Sequence, residues 1–144
     1  MSKAMLIITH DQGGISQTYE FPGEYYKKNN YFYMVYNQKI SEEQIIKNII
    51  KFDNNSLVRK QFGINGFNIK FEKNLHYKSA IYSQNSSFNI YLLTNNFQVN
   101  FYEESHSKIA SIIINYKFSF NSADIESGID NHIKLDIINV DEVL

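Results

Sequence analysis

The chain has no cysteine and no tryptophan, and only one proline and six glycines among its 144 residues. Without cysteine there can be no disulfide, no thiolate nucleophile and no cysteine-held metal. That composition fits a reducing compartment. So little proline and glycine excludes a linker or a low-complexity segment. An excess of one charge is also missing: 14 basic residues face 15 acidic ones, for a net charge of -1. A nucleic-acid binder needs a concentrated basic field to displace phosphate counterions, and the pairs Lys27-Lys28 and Arg59-Lys60 are too short to supply one. Long hydrophobic runs are absent too. The apolar stretch near the start is cut off by His10 and Asp11, too soon for a signal-peptide core or a membrane span. The expectation is a soluble, cytoplasmic protein that neither inserts into membranes nor binds nucleic acid.

What the chain does have is aromatic and aliphatic alternation. Its hydrophobic fraction is 43% and its aromatic fraction 15%, made of eleven Tyr and eleven Phe. That suffices for one core, so residues 1–144 are read as a single domain that folds without metal. Aromatic residues favour the half-buried, pleated surface of a sheet. Phe67 to Glu72, Phe97 to Phe101 and Ile133 to Ile137 alternate apolar and polar residues strictly, the signature of strands with one buried face. Tyr31 to Tyr36 and Phe88 to Leu93 are apolar on both faces. From Ile109 to Phe120, the residues Ala110, Ile112, Ile114, Tyr116, Phe118 and Phe120 share a face, as on a long strand bending around a barrel. Asn29-Asn30, Asn54-Asn55, Asn65-Gly66, Lys73-Asn74, Asn85-Ser86 and Asn95-Asn96 punctuate these segments. Asparagine tolerates the left-handed backbone of tight hairpins. Closely spaced strands and such turns predict an all-β, antiparallel up-and-down meander. Closing it, or nearly closing it, into a barrel hides its edges. No repeat of fixed period suggests a propeller.

One segment carries two signals. Ser41-Glu42-Glu43-Gln44 has the form of a capping box, and Ile45, Ile46, Ile49 and Ile50 follow at helical spacing. Local physics favours a short helix from Ser41 to Lys51, the only one expected. The competing reading is a strand with Ile46, Ile50 and Phe52 on one face and Lys47 and Lys51 on the other.

Catalytic signals are sparse. His10, His76, His106 and His132 lie in separate segments, with none of the converging spacing a metal needs. No nucleophile-elbow motif is present. Gly13-Gly14 reads as a hairpin turn, not a phosphate cradle, and Glu103-Glu104 as a solvated strand end. The expectation is a non-enzyme with no metal and no cofactor. Arg59, the only arginine, stands out. Under strict alternation it shares a face with Leu57 and Gln61. If Val58 and Phe62 point inward, Arg59 is on the surface, the first-ranked reading. If its own face points inward, it needs an acidic partner, the second reading, or an anionic ligand, the third.

These residues resemble the YwiB-like family, the family of domain of unknown function 1934. The resemblance runs over nearly the whole chain on loose motifs. Phe21-Pro22-Gly23-Glu24-Tyr25, followed by Tyr33 and Tyr36, is similar to the family's early Gly-x-Tyr and later Tyr positions. Gln61-Phe62-Gly63 resembles its Arg-x-Gly step, with Gln61 where the family has Arg. Phe71, Tyr82, Thr94, Phe97, Tyr116 and Asn131 fall at further family positions. The stretch from Tyr82 to Ser87 lacks the Thr and Gly of the family's Tyr-x-Thr-x-x-Gly signature. The resemblance implies a calycin-like or lipocalin-like barrel, in which Ile45 to Phe52 is a strand, and that reading is adopted. A barrel of that kind can be filled by side chains or hold one small ligand. The expected function is binding of a small apolar or anionic molecule, with Arg59, Gln61, Tyr33, Phe71, Tyr82 and Tyr116 as candidate lining residues alongside Phe67 and Ile69. The alternative is a protein-interaction module with a packed interior, presenting Tyr25-Tyr26 and Tyr31 to Tyr36. Cavity volume discriminates between the two.

Overall fold

The computed structural model describes residues 2–63, 66–82 and 86–140, with the side chain of Tyr82 outside that description. Its strands are β1 (Ser2–Gln12), β2 (Ile15–Lys28), β3 (Tyr31–Lys39), β4 (Ile45–Phe52), β5 (Ser56–Gln61), β6 (Phe67–Glu72), β7 (His76–Tyr82), β8 (Ser87–Phe101), β9 (Lys108–Ser119) and β10 (Ile129–Asn139). They form one antiparallel sheet in the order β6-β5-β4-β3-β2-β1-β10-β9-β8-β7. Every neighbour is consecutive in sequence except β1 and β10, which bring the two ends of the chain together. The up-and-down reading therefore holds. The barrel is nearly closed, and its one gap in the ladder lies between β6 and β7. There the Ser79 hydroxyl donates to the Asn68 carbonyl at 2.7 Å.

The turns follow the expected chemistry in part. Gly13 and Gly14 join β1 to β2 with φ of +58° and +83°, and Asn29 and Asn30 join β2 to β3 at +52° and +69°. Consecutive residues at positive φ are what a two-residue hairpin needs. Asn74 does the same alone, at +66°, between β6 and β7. Asn54-Asn55 turns by another device: the Asp53 carboxylate accepts from the backbone N–H of Asn55 at 2.8 Å and of Ser56 at 2.9 Å, an Asx turn. Asn95-Asn96 is no turn at all. It lies within β8, where the register against β9 shifts between Thr94 and Asn96. This is a bulge that lets one 15-residue strand replace two expected ones. Asn65 and Asn85 fall outside the described residues.

The Ser41–Lys51 segment is a strand from Ile45 onward, pairing with β3 and β5. Ile46, Ile50 and Phe52 are all buried, so tertiary pairing overrides the local helical signal. The helical element occurs elsewhere, as a 3-10 turn over Ser122–Ser127. The Asn121 side chain accepts from the Ala123 N–H to start it, and Ile125 is buried beneath it. Among the described residues, no helix is long and apolar enough to cross a membrane.

The inner face is apolar along most of the barrel. Leu6, Met34, Ile50, Phe52, Leu57, Ile112, Ile114 and Ile137 are at most 1% exposed. Each such side chain contributes about 1.5–3 kcal/mol when fully buried.

Candidate functional site

Cross-strand register stacks the interior into layers. One layer runs Phe32, Phe52, Leu57, Phe71 across β3 to β6. Two residues along each strand lies a second layer, Met34, Ile50, Arg59, Ile69. A third follows: Gly23, Tyr36, Asn48, Gln61, Phe67. Pleating sends every second residue to the same face, so Leu57, buried and inward, carries Arg59 and Gln61 inward with it. The surface reading of Arg59 is therefore corrected: Val58 takes the outer face. On the opposite wall, Thr94, Tyr116 and Asn131 align across β8, β9 and β10. Asn131 Oδ1 accepts from the His10 ring Nε2 at 2.7 Å. The apolar interior thus meets a polar band formed by Asn48, Thr94 and Asn131, all buried.

Arg59 sits at the boundary between the two. It lines an interior pocket of about 70 Å³ together with Tyr116, Phe71 and the aliphatic residues Ile8, Ile50, Leu57, Ile69, Ile114, Ile133 and Leu135. No ion pair among the described residues includes Arg59, which corrects the second reading, an internal acidic partner. Its guanidinium lies 5.3 Å from the centre of the Phe67 ring. Arg59 Nε, Tyr36 Oη, Asn48 Oδ1 and Thr94 Oγ1 are buried without a hydrogen-bond partner. Buried polar atoms are rarely left so. Burial pushes the Tyr116 phenol up to about 12, against a smaller downward pull from the Arg59 charge. Burial raises Tyr36 as well, opposed by the Arg59 charge and by a loose contact with its N–H groups. That contact falls short of a formed hydrogen bond, since the Tyr36 hydroxyl has no partner of proper geometry. Both phenols stay protonated at neutral pH. Arg59 thus has two protonated phenols near enough to feel its charge, and among the described residues it has no carboxylate partner.

The remaining expected site residues divide. Phe71 is buried and packs on Tyr116 with ring centres 4.9 Å apart. Phe67 and Ile69 are beside Arg59. Gln61 joins Phe67 and Lys60 along the groove at the β6–β7 gap, one layer above the pocket. Tyr33 does not belong with them. It alternates with the inward Met34, so it stacks on Tyr26 at 4.9 Å on the outer face, beneath Lys51. The side chain of Tyr82 lies outside the described residues. Tyr36, Asn48 and Thr94 escaped the sequence reading as site residues. Asn48 left a signal: it interrupts the inward stripe Ile46, Ile50, Phe52, and a polar residue there requires a partner.

Together these features define a nearly closed antiparallel β-barrel with a cationic pocket where its apolar interior meets a polar band. The chain belongs to the family described as Domain of unknown function (DUF1934), which it matches over residues 5–134. Its fold is similar to that of the solved structure titled "Crystal structure of ywiB protein from Bacillus subtilis", with a TM-score of 0.72 at 18% sequence identity over 96% of this chain and 91% of that one. No curated protein matches the sequence.

Proposed function

We propose that the barrel binds a small anion in its interior, with Arg59 as the anchor. The observation that carries this reading is a half-buried guanidinium with no carboxylate partner among the described residues, its Nε and the adjoining Tyr36 hydroxyl both buried without a hydrogen-bond partner. A buried charge is costly unless paired, and an anion would satisfy Arg59 and the two phenols at once. The pocket of about 70 Å³ is far below the roughly 300 Å³ at which drug-sized ligand sites begin, which favours a small anion over a large apolar molecule. Phenols held in the protonated form donate hydrogen bonds and do not abstract protons, which supports binding without catalysis. The lack of cysteine supports a cytoplasmic setting.

The test is a thermal-shift and NMR titration with small monoanions in a buffer of bulky, non-coordinating ions. Saturable binding is expected in the parent protein and its loss in Arg59→Met. If no anion perturbs the parent, the second reading takes first place. That reading, a protein-interaction module, is favoured by the stacked outer pair Tyr26 and Tyr33, with Lys51 4.2 Å above the neighbouring Tyr31 ring.

A further inference from the structure

We infer that the anion is a short aliphatic monocarboxylate of acetate or propionate size, its carboxylate on Arg59 and its alkyl group against the aliphatic wall below. The inference rests on the anion-binding reading above and narrows it by three properties of the pocket: size, wall chemistry and charge.

Size comes first. A dry protein cavity of about 150 Å³ accommodates benzene, with its six carbons. The pocket beneath Arg59 is about 70 Å³, so it admits roughly three to five non-hydrogen atoms. Acetate and propionate fit that range, as do nitrate and phosphate. A fatty acid does not.

Wall chemistry separates the candidates that fit. Of the ten lining residues only Arg59 and Tyr116 carry donors, and the Tyr36 hydroxyl adjoins Arg59. The rest of the lining is apolar, including Ile50, Ile69 and Ile133. A phosphate presents oxygens in all directions, and those facing this wall would be stripped of water with nothing in return. A carboxylate has both oxygens at one end. They match the planar fork of a guanidinium two-handed, and the alkyl end replaces empty space against the isoleucines with van der Waals contact. Charge agrees: one arginine and two neutral phenols balance a single negative charge, not two. Nitrate carries the right charge, but its third oxygen would face the aliphatic wall.

The experiment titrates the full-length protein with acetate, propionate, octanoate, nitrate and phosphate, following amide and Ile methyl NMR shifts. Acetate and propionate are expected to saturate, with contacts at Ile69, and to bind at least tenfold more tightly than phosphate or nitrate. Arg59→Met should weaken them tenfold or more. Ile69→Ala, at a partly exposed position, should move the preferred chain length upward from propionate. If that variant fails to fold, Ile69→Val should produce the same shift on a smaller scale. Binding of nitrate or phosphate through Arg59 without binding of acetate or propionate would overturn the carboxylate inference and leave the anion reading standing. Octanoate binding as tightly as propionate would overturn the size limit. No binding by any of them would remove both readings.

Discussion

Arg59 faces inward on β5 between Leu57 and Gln61, and among the described residues no acid pairs with it. Its removal therefore strands no buried carboxylate, the usual source of large losses when an interior pair is broken. Arg59→Met is expected to leave the unliganded protein as stable as the parent or more so, measured by urea denaturation. A loss of about 3 kcal/mol or more would reveal an acidic partner. Phe71 shows the opposite economy. It is 5% exposed and packed against Tyr116, so Phe71→Ala should cost on the order of 3–5 kcal/mol through lost burial and the cavity left behind. Gly23 is required for space. A Cβ there would sit 2.2 Å from the Val35 carbonyl oxygen and 3.0 Å from the Tyr36 Cβ. Backbone cannot yield as a flexible side chain can, and Gly23→Ala is expected to destabilise by roughly 3 kcal/mol in the same assay.

At the scale of elements, the β6–β7 gap is the barrel's weak place. Both strands are short, and the Ser79 to Asn68 bond joins them where a ladder would otherwise run. Stability is not uniform across a fold, and amides outside a ladder open at lower cost. Hydrogen exchange is expected to be fastest along the facing edges of β6 and β7, and slowest in β1, β9 and β10. Equal protection at the gap would mean that the two strands pair in solution. The gap is also anchored at its turn end. The Asn74 N–H donates to the Thr94 carbonyl at 2.8 Å, and the Thr94 N–H to the Leu75 carbonyl at 3.3 Å. The bulge in β8 and the β6–β7 turn therefore hold each other, while the far end of the gap opens into the groove lined by Lys60, Phe67 and Lys78.

For the whole molecule, the buried tyrosines govern behaviour in alkali. Tyr25 and Tyr116 are each pushed by burial up to about 12, and Tyr36 is raised as well. In the unfolded chain these phenols ionise near 10. Below that pH both states hold the proton and stability does not depend on these groups. Above it the unfolded state releases protons first, so stability falls as pH rises from about 10 to about 12. Denaturation midpoints followed across that range should decline. Absorbance titration at fixed pH should show a late-ionising class of tyrosine that joins the rest on unfolding. A flat stability profile to pH 12 would place these hydroxyls in water. Far-UV circular dichroism of the same protein should show a β spectrum, with helix well under roughly 15%, against the ~30% of an average domain.

The barrel class and the strands with strict alternation were legible in the sequence because they depend on periodicity. Phe67 to Glu72 alternates within itself, and any fold that buries one face of that strand buries Phe67, Ile69 and Phe71. The glycine and asparagine hairpins at Gly13-Gly14 and Asn29-Asn30 were legible for the same reason: positive φ is a local demand. Other features depend on what lies across the sheet. Residues 41–51 satisfy a helix locally and become a strand because β3 and β5 offer ladders on both sides. Asn95-Asn96 has turn chemistry, yet β9 runs past it and makes it a bulge. Tyr33 and Tyr36 look alike in the sequence, and only the burial of Met34 sends one outward and the other in. Arg59 depends most on long-range structure. Its face follows from Leu57, but whether an acid, a ligand or nothing meets it is set by strands 50 to 75 residues away in the chain. Alternation dictates which way a side chain points; only closure of the barrel decides what it meets.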